Sequence, residues 1–156
     1  MKRLLDPLAI YERGLADIAS LDGVERLLFM LQDFDNLMEM EGWDHFFLYD
    51  HHFAWYAEMK DWLRRIGDEA SLAVLGDYES RVQANGFEVS PAGIEAWLQE
   101  EDEADEPGQP DWCGQYCTLR QARWERALAY VAGQGFTVNT ADPSAAADGG
   151  RDPGSL

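Results

Sequence analysis

Cationic side chains are scarce in this sequence. Its 156 residues contain 12 Lys and Arg against 30 Asp and Glu, which gives a formal net charge of −18 at pH 7. Nucleic acids and anionic membranes attract basic patches, so a surface of this sign should repel both and attract basic proteins. We therefore expect no direct binding to nucleic acid or to a membrane. The expected partner is a basic protein.

Long apolar runs and familiar cysteine spacings are also missing. No segment approaches the roughly 20 apolar residues that span a bilayer, and Asp6-Pro7 interrupts the apolar start of the chain, which argues against a signal peptide. Cys113 and Cys117 are the only cysteines, and their C-x-x-x-C spacing matches neither a zinc knuckle nor a C-x-x-C redox motif. We expect a cytoplasmic protein with free thiols.

Apolar residues recur at helical spacing along most of the chain. Helix starts are predicted from capping signals at Asp6-Pro7, Asp22, Asp68, Ser90-Pro91 and Thr118, and another helix from about His51. Strand signals are short and isolated, at residues 86–89 and 136–138. The pattern predicts an all-α fold, with a single compact bundle of about six helices in residues 1–136 and a disordered tail in residues 137–156.

The stretch from Met40 to Tyr49 is the densest aromatic segment and is expected to lie at the centre of the bundle. Gly42 should end the preceding helix in a left-handed conformation. Five large apolar or aromatic side chains then follow within seven residues, too many for a solvated loop. We predict that all five belong to the core: Trp43, Phe46, Phe47, Leu48 and Tyr49.

The negative charge is unevenly distributed along the chain. Residues 68–110 hold 1 basic and 12 acidic side chains, a formal charge of −11. Asp35 and Glu39 stand four residues apart, so on a helix they would form a row of like charges that a protein evolved to bind phosphates could use. We interpret nine acidic residues as partner-binding: Asp33, Asp35, Glu39, Glu41, Asp44, Glu100, Glu101, Asp102 and Glu103.

Two other interpretations of these charges stay open. The acidic run could be a solvated face, answered in part by Arg120, Arg123 and Arg126 of the last helix. Imidazoles and carboxylates near the aromatic stretch could also hold zinc, manganese or iron in a metal-dependent enzyme; the candidates are Asp44, His45, Asp50, His51 and His52.

Known catalytic motifs give no support to the enzyme interpretation. The sequence contains no H-x-x-x-H or E-x-x-H metal pair, no G-x-S-x-G motif, and no glycine-rich phosphate loop. His52 falls on the apolar stripe of its predicted helix, where a hydrogen-bonded histidine at the core edge is the simpler interpretation. We expect no catalytic residues, no metal and no cofactor.

Three stretches carry a resemblance to a known family: Leu28-Phe29-Met30-Leu31, the segment from Met40 to Tyr49, and Leu63-Arg64-Arg65-Ile66-Gly67-Asp68. Through them, residues 22–100 resemble the bacterial DNA-mimic family typified by DNA mimic protein nineteen, formerly a domain of unknown function. In that family the middle stretch typically has Asn, Gly, Gly and Phe, a variable residue, Gln, two aromatics and Asn. Here those positions hold Met40, Glu41, Gly42, Trp43, Asp44, His45, Phe46, Phe47 and, for the final Asn, Tyr49.

The resemblance implies an all-helical, strongly acidic and non-enzymatic protein. Such a protein occupies the nucleic-acid site of a basic DNA-binding protein. Small acidic families of this kind also include immunity proteins that neutralise basic toxins, so a toxin is the alternative partner. Whether the chain acts as a monomer or a dimer is open.

Overall fold

Helices account for about 75% of the described chain. The computed structural model describes residues 3–104 and 109–139, with side chains except at 101–104. The helices are α1 (Pro7–Ala16), α2 (Val24–Met40), α3 (Trp43–Leu48), α4 (Asp50–Phe53), α5 (Tyr56–Arg65), α6 (Glu69–Ala84), α7 (Pro91–Ala104), α8 (Trp112–Thr118) and α9 (Arg120–Gly133). A 3₁₀ turn covers Ile18–Ser20, and the strands are β1 (Arg3–Leu5) and β2 (Phe136–Val138). The predicted all-α fold class is confirmed.

Local capping interactions explain where several helices begin. Asp6 accepts a hydrogen bond from the backbone N–H two residues on, at 3.1 Å, and Pro7 is the first residue of α1. Asp68 and Ser90 each accept one from the N–H three residues on, at 3.0 Å. These side chains satisfy donors that a helix leaves open at its start. The three predicted starts are therefore confirmed.

The predicted stop of α2 at Gly42 is confirmed as well. Gly42 has φ 90°, a conformation that glycine adopts without the steric penalty of a Cβ. The Leu37 carbonyl accepts hydrogen bonds from the N–H groups of both Glu41 and Gly42, each at 2.8 Å. This closes the last turn and lets the chain start α3 at once.

The described residues contain three more helices than the predicted six, because α3 forms within the aromatic stretch and two predicted elements differ. The helix expected from His51 is divided into α4 and α5, since Trp55 has a non-helical backbone (φ −106°, ψ 8°). Thr118 does not cap the last helix. It ends α8, and its hydroxyl donates to the Gln115 carbonyl at 2.8 Å.

The described residues form two compact units, and those of unit 1 lie within the ranges 1–29 and 127–156. Its strands pair in parallel, with Arg3 opposite Phe136 and Leu5 opposite Val138. A Cβ at Gly14 would lie only 2.2 Å from the ring of Phe29, so this mid-helix glycine makes room for an aromatic side chain. In unit 1 the weak strand signal at residues 136–138 becomes real structure through a partner strand distant in sequence.

Unit 2 contains residues 30–126 and is built around the aromatic side chains of α3. Trp43, Phe46 and Phe47 are buried, as predicted, and the ring of Phe34 in α2 lies 4.5 Å from that of Phe46. The short helix α3 packs against α4 and α7, while α6 packs against α5 and α8. The core prediction is wrong for Tyr49, which is 44% exposed.

The predicted tail is only partly described. Thr137 and Val138 belong to β2, and the Asn139 N–H donates to the Leu5 carbonyl at 2.8 Å, while residues 140–156 lie outside the described residues. Among the described helices, none has the combination of length and hydropathy needed to cross a bilayer.

Candidate functional site

A buried arginine organises the polar interior of unit 2. Arg123 of α9 is 0% exposed. Its Nη1 donates to Ser71 Oγ at 3.0 Å and to the Tyr116 carbonyl at 3.1 Å, while Nη2 donates to Asp35 Oδ1 at 3.1 Å. The guanidinium carbon lies 3.7 Å from the centroid of the Tyr116 ring. A buried cation needs a nearby counter-charge, and Asp35 supplies it.

Asp35 uses both carboxylate oxygens inside unit 2. It is 3% exposed, and its Oδ2 accepts a hydrogen bond from the Trp124 indole at 2.7 Å and lies 3.5 Å from Arg120 Nε. Burial raises the pKa of Asp35, while Arg123, Trp124 and Arg120 act in the opposite direction. The structure therefore places this predicted partner-binding residue in the interior, where a partner has no access to it.

Asp33 is also buried, on the side of α2 that faces His52. His52 Nε2 lies 3.7 Å from Asp33 Oδ2, and the His52 ring stacks on Phe46 with centroids 5.9 Å apart. Burial is the main reason that the pKa of His52 lies below its usual value, and His51 lowers it further. This position at the core edge agrees with the structural interpretation of His52.

The other predicted carboxylates of this region are exposed. Glu39 is bound by Arg120, with Nη1 2.6 Å from Oε1, and Glu41 lies 3.4 Å from His45 Nδ1. Asp44 is exposed on α3, and Asp50 is exposed at the start of α4. We define the acidic surface as the four carboxylates that follow the last turns of α2 into α4: Glu39, Glu41, Asp44 and Asp50.

Two long stretches of the chain lack Lys and Arg altogether, and the structure brings them together. Residues 27–59 have no Lys or Arg and seven Asp or Glu; residues 82–119 have none and nine. The first stretch contains α3 and the second contains α7, and these two helices pack against each other. Carboxylates on the two helices therefore add to one negative field that few internal cations offset.

The predicted residues of the acidic run lie at the end of α7. Glu100 is exposed, as is Glu95 one and a half turns earlier. The backbone of residues 101–103 is helical, whereas the side chains of Glu101, Asp102 and Glu103 lie outside the described part of the structure. Arg120 and Arg123 pair with Glu39 and Asp35, on α2.

The histidines and carboxylates proposed as metal ligands are not arranged as a metal site in the described residues. Within residues 3–104 and 109–139, no group of three or more His, Cys, Asp and Glu side chains is placed to hold an ion. His45 faces Glu41, and the rings of His51 and His52 lie 4.0 Å apart.

The two cysteines are free thiols. Cys113 Sγ lies 3.8 Å from the sulfur of Met38. Burial, and then the neighbouring Cys113, raise the pKa of the Cys117 thiol to about 11. A thiol with that pKa is almost fully protonated at neutral pH and is therefore a weak nucleophile.

Sequence reasoning missed the role of Arg123 as the buried partner of Asp35. The sequence contains a signal for this role, because Arg123 is followed at intervals of four residues by the apolar Ala127 and Val131 and so lies on the apolar stripe of its helix. In the structure Ala127 and Val131 are both buried. An arginine on the apolar stripe of a helix needs an internal anion. Asp35, on the most apolar predicted helix, was a candidate for that anion.

A comparison with known protein families places the chain in one of them. The model of the family described as DMP19-like protein matches residues 19–132, most of the chain. No curated protein and no solved structure matches the chain significantly.

Proposed function

The chain belongs to the DMP19-like protein family, and we propose on this premise that it is a non-enzymatic DNA mimic. The family takes its name from DNA mimic protein 19. The protein would occupy the nucleic-acid site of a basic DNA-binding protein in the cytoplasm, and so keep DNA away from it. It would need neither a cofactor nor a metal.

The packing of α3 against α7 is the observation that carries this proposal. Both helices belong to stretches without Lys or Arg, and both present exposed carboxylates, at Asp44 on α3 and at Glu95 and Glu100 on α7. Charges fixed on packed helices need no reordering on binding, in contrast to charges on a flexible tail. Lys and Arg side chains that contact phosphates would meet a comparable set of fixed anions here.

The proposed interface keeps part of the set of residues predicted from the sequence. It contains the acidic surface together with Glu100, and it extends by sequence to Glu101, Asp102 and Glu103. Asp50 of the acidic surface is an addition to the predicted set. The interface leaves out Asp33 and Asp35, because both are buried. Asp35 would instead act on binding indirectly, through the position of Arg120 beside Glu39.

The test is a competition experiment with a captured partner and its DNA. The full chain should displace the DNA duplex from the partner, and the affinity should fall steeply between about 50 and 200 mM salt. A double variant Glu41→Gln, Asp44→Asn should slow association. The matched control Glu12→Gln, Asp22→Asn removes two exposed carboxylates of unit 1 and should have little effect.

Two outcomes would contradict the proposal. One is an affinity that does not depend on salt. The other is a partner that has no nucleic-acid site, such as a basic toxin of another activity, which would point to the immunity-protein alternative.

A further inference from the structure

Two exposed apolar side chains interrupt the acidic surface. Met40 is 80% exposed and Tyr49 is 44% exposed, and they are the large hydrophobic residues that the described part of unit 2 leaves in solvent. Met40 stands between Glu39 and Glu41, and Asp50 follows Tyr49. A device for solubility alone would not place its exposed apolar groups among its carboxylates.

The backbone at Tyr49 explains why its ring is outside the core. Tyr49 joins α3 to α4 in an extended conformation (φ −105°, ψ 125°). Its ring lies 5.8 Å from the ring of His45 and 5.8 Å from that of His51. His45 is in turn 3.4 Å from the Glu41 carboxylate. The ring is therefore bordered by two imidazoles, with the Glu41 carboxylate beyond His45 and Asp50 next to Tyr49 in the chain. An exposed aromatic ring in an acidic surface suits an organic cation.

We propose that Tyr49 makes the acidic surface selective for arginine over lysine side chains. The partner's guanidinium would lie on the Tyr49 ring while Glu41 and Asp50 accept its N–H groups, and Met40 would contact its methylene stem. This inference rests on the proposed function, since it assumes a basic partner on this surface. A plain row of carboxylates attracts arginine and lysine side chains alike. The Tyr49 ring would therefore add a selectivity that charge alone does not give.

The interior of unit 2 already contains the same three-part arrangement. The Arg123 guanidinium lies over the Tyr116 ring and donates to the Asp35 carboxylate. A guanidinium is planar and weakly hydrated, so it can stack on a ring and bind a carboxylate at once. We infer that the acidic surface offers two of these parts, the ring and the carboxylate, and that the partner supplies the third.

A lysine also lies over a tyrosine in unit 2, and its setting shows what an ammonium needs. Lys60 Nζ is 4.7 Å from the Tyr56 ring centroid and 2.9 Å from Glu79 Oε2, in a half-buried position. An ammonium ion is strongly hydrated and loses that water only where the surroundings replace it. The exposed Tyr49 leaves an ammonium in water, so lysine should gain much less from this ring.

The experiment compares octa-arginine with octa-lysine, two peptides of equal length and charge. Fluorescence anisotropy at low salt would give both dissociation constants for the full chain and for Tyr49→Leu. Replacing the ring should reduce the preference for octa-arginine about 2- to 5-fold, the size expected for an exposed cation–π contact. The affinity for octa-lysine should stay nearly constant, and Tyr49→Phe should keep the wild-type preference.

The outcomes separate this inference from the proposed function. If both peptides bind but Tyr49→Leu leaves their affinity ratio unchanged, the arginine selectivity is wrong and the acidic surface stands. If neither peptide binds the wild-type chain, both proposals fail. Circular dichroism of Tyr49→Leu checks that the exposed substitution leaves the helices intact, and Tyr49→Gln is the second variant without a ring if Tyr49→Leu unfolds. Tyr49→Phe checks that the ring and not its hydroxyl is responsible.

Discussion

The two units of the chain differ sharply in how their charges are balanced. By sequence, the range of unit 1 contains 5 basic and 8 acidic residues, a formal charge of −3, whereas the range of unit 2 contains 7 and 22, a charge of −15. In unit 1 the nearly buried Glu25 pairs with Arg13 at 2.5 Å and lies 4.0 Å from Arg3. The acidic groups of unit 2 outnumber its cations three to one. Internal pairing can therefore account for much of the charge of unit 1 but for only a minority of that of unit 2.

Exposed apolar groups differ in the same way. The described part of unit 1 exposes four leucines, at Leu4, Leu8, Leu15 and Leu128. The exposed Met40 and Tyr49 of unit 2 lie within the acidic surface. We therefore place the proposed recognition of a basic partner on unit 2, and the experiments below test that placement.

The largest expected change in the free energy of unfolding comes from a buried, structural carboxylate of unit 2, in comparison with an exposed carboxylate of the proposed interface. Asp35→Asn removes the counter-charge of the buried Arg123, so it should lower the free energy of unfolding by about 3–5 kcal/mol in urea denaturation. Glu39→Gln is the same chemical change one helical turn later, at an exposed pair, and should cost about 0–1 kcal/mol. Equal costs would contradict the distinction between the two residues.

Smaller changes in the free energy of unfolding are expected when a helix glycine of each unit is replaced by alanine. Gly14→Ala in unit 1 should lower the free energy of unfolding by about 1–3 kcal/mol, because the new methyl group overlaps the Phe29 ring. Gly76→Ala in α6 of unit 2 meets no atom within 4 Å and should stabilise by about 0.5–1 kcal/mol. Thermal denaturation of the pair measures both signs, and destabilisation by Gly76→Ala would contradict this account of its surroundings.

These results also show why part of the fold could be predicted and part could not. Asp6, Asp68 and Ser90 mark helix starts through atoms two or three residues away, so the sequence contains all the necessary information. The break at Trp55 has no comparable local signal, and it forms where tertiary packing outweighs local preference. The short helix α8 has such a signal, which the sequence-based prediction missed: Asp111 accepts a hydrogen bond from the Gly114 N–H at 2.9 Å.

In the candidate site, too, some features follow from the local sequence and others from residues far away in the chain. Asp35 and Glu39 occupy one face of α2 with identical spacing signals, yet one is buried and the other exposed. The difference comes from Arg123, 88 residues after Asp35 in the chain. Net charge and the lack of Lys and Arg around α3 and α7 could be read from the sequence; the contact between those helices could not.

The pH dependence of stability should separate Glu25 of unit 1 from His52 of unit 2. Burial alone raises the pKa of Glu25, but the Asp22 N–H, Arg13 and Arg3 outweigh it, and the pKa lies below its usual value. Its contribution is therefore present above about pH 4.3, the unfolded value, and is lost as the pH falls through the folded pKa.

The lowered pKa of His52 acts in a different pH range. The folded state favours the neutral imidazole, so stability should start to fall as the pH drops below about 6.5, the value of an unfolded histidine. Urea titrations of Glu25→Gln and His52→Gln at several pH values would show which slope each variant loses. A wild-type curve that is flat from pH 7 to 5 would contradict the assignment to His52.

The smallest effect concerns a cation that competes with the partner for the acidic surface. Arg120 is one-third exposed and holds Glu39 at 2.6 Å, so a partner's lysine must replace it or share the carboxylate. Arg120→Gln should therefore raise the affinity for octa-lysine by about 2- to 5-fold, equivalent to roughly 0.5–1 kcal/mol for an exposed pair.

Arg64→Gln is the matched control for this variant. It removes the same charge from an exposed pair of unit 2, Arg64 with Asp61 at 2.6 Å, which lies on α5 outside the acidic surface. Because Arg64 pairs with Asp61 and not with a carboxylate of the acidic surface, Arg64→Gln should change the affinity much less. If both variants strengthen binding equally, the peptide responds to net charge alone. Binding would then not be localised at Glu39, and the acidic surface would have no defined position on unit 2.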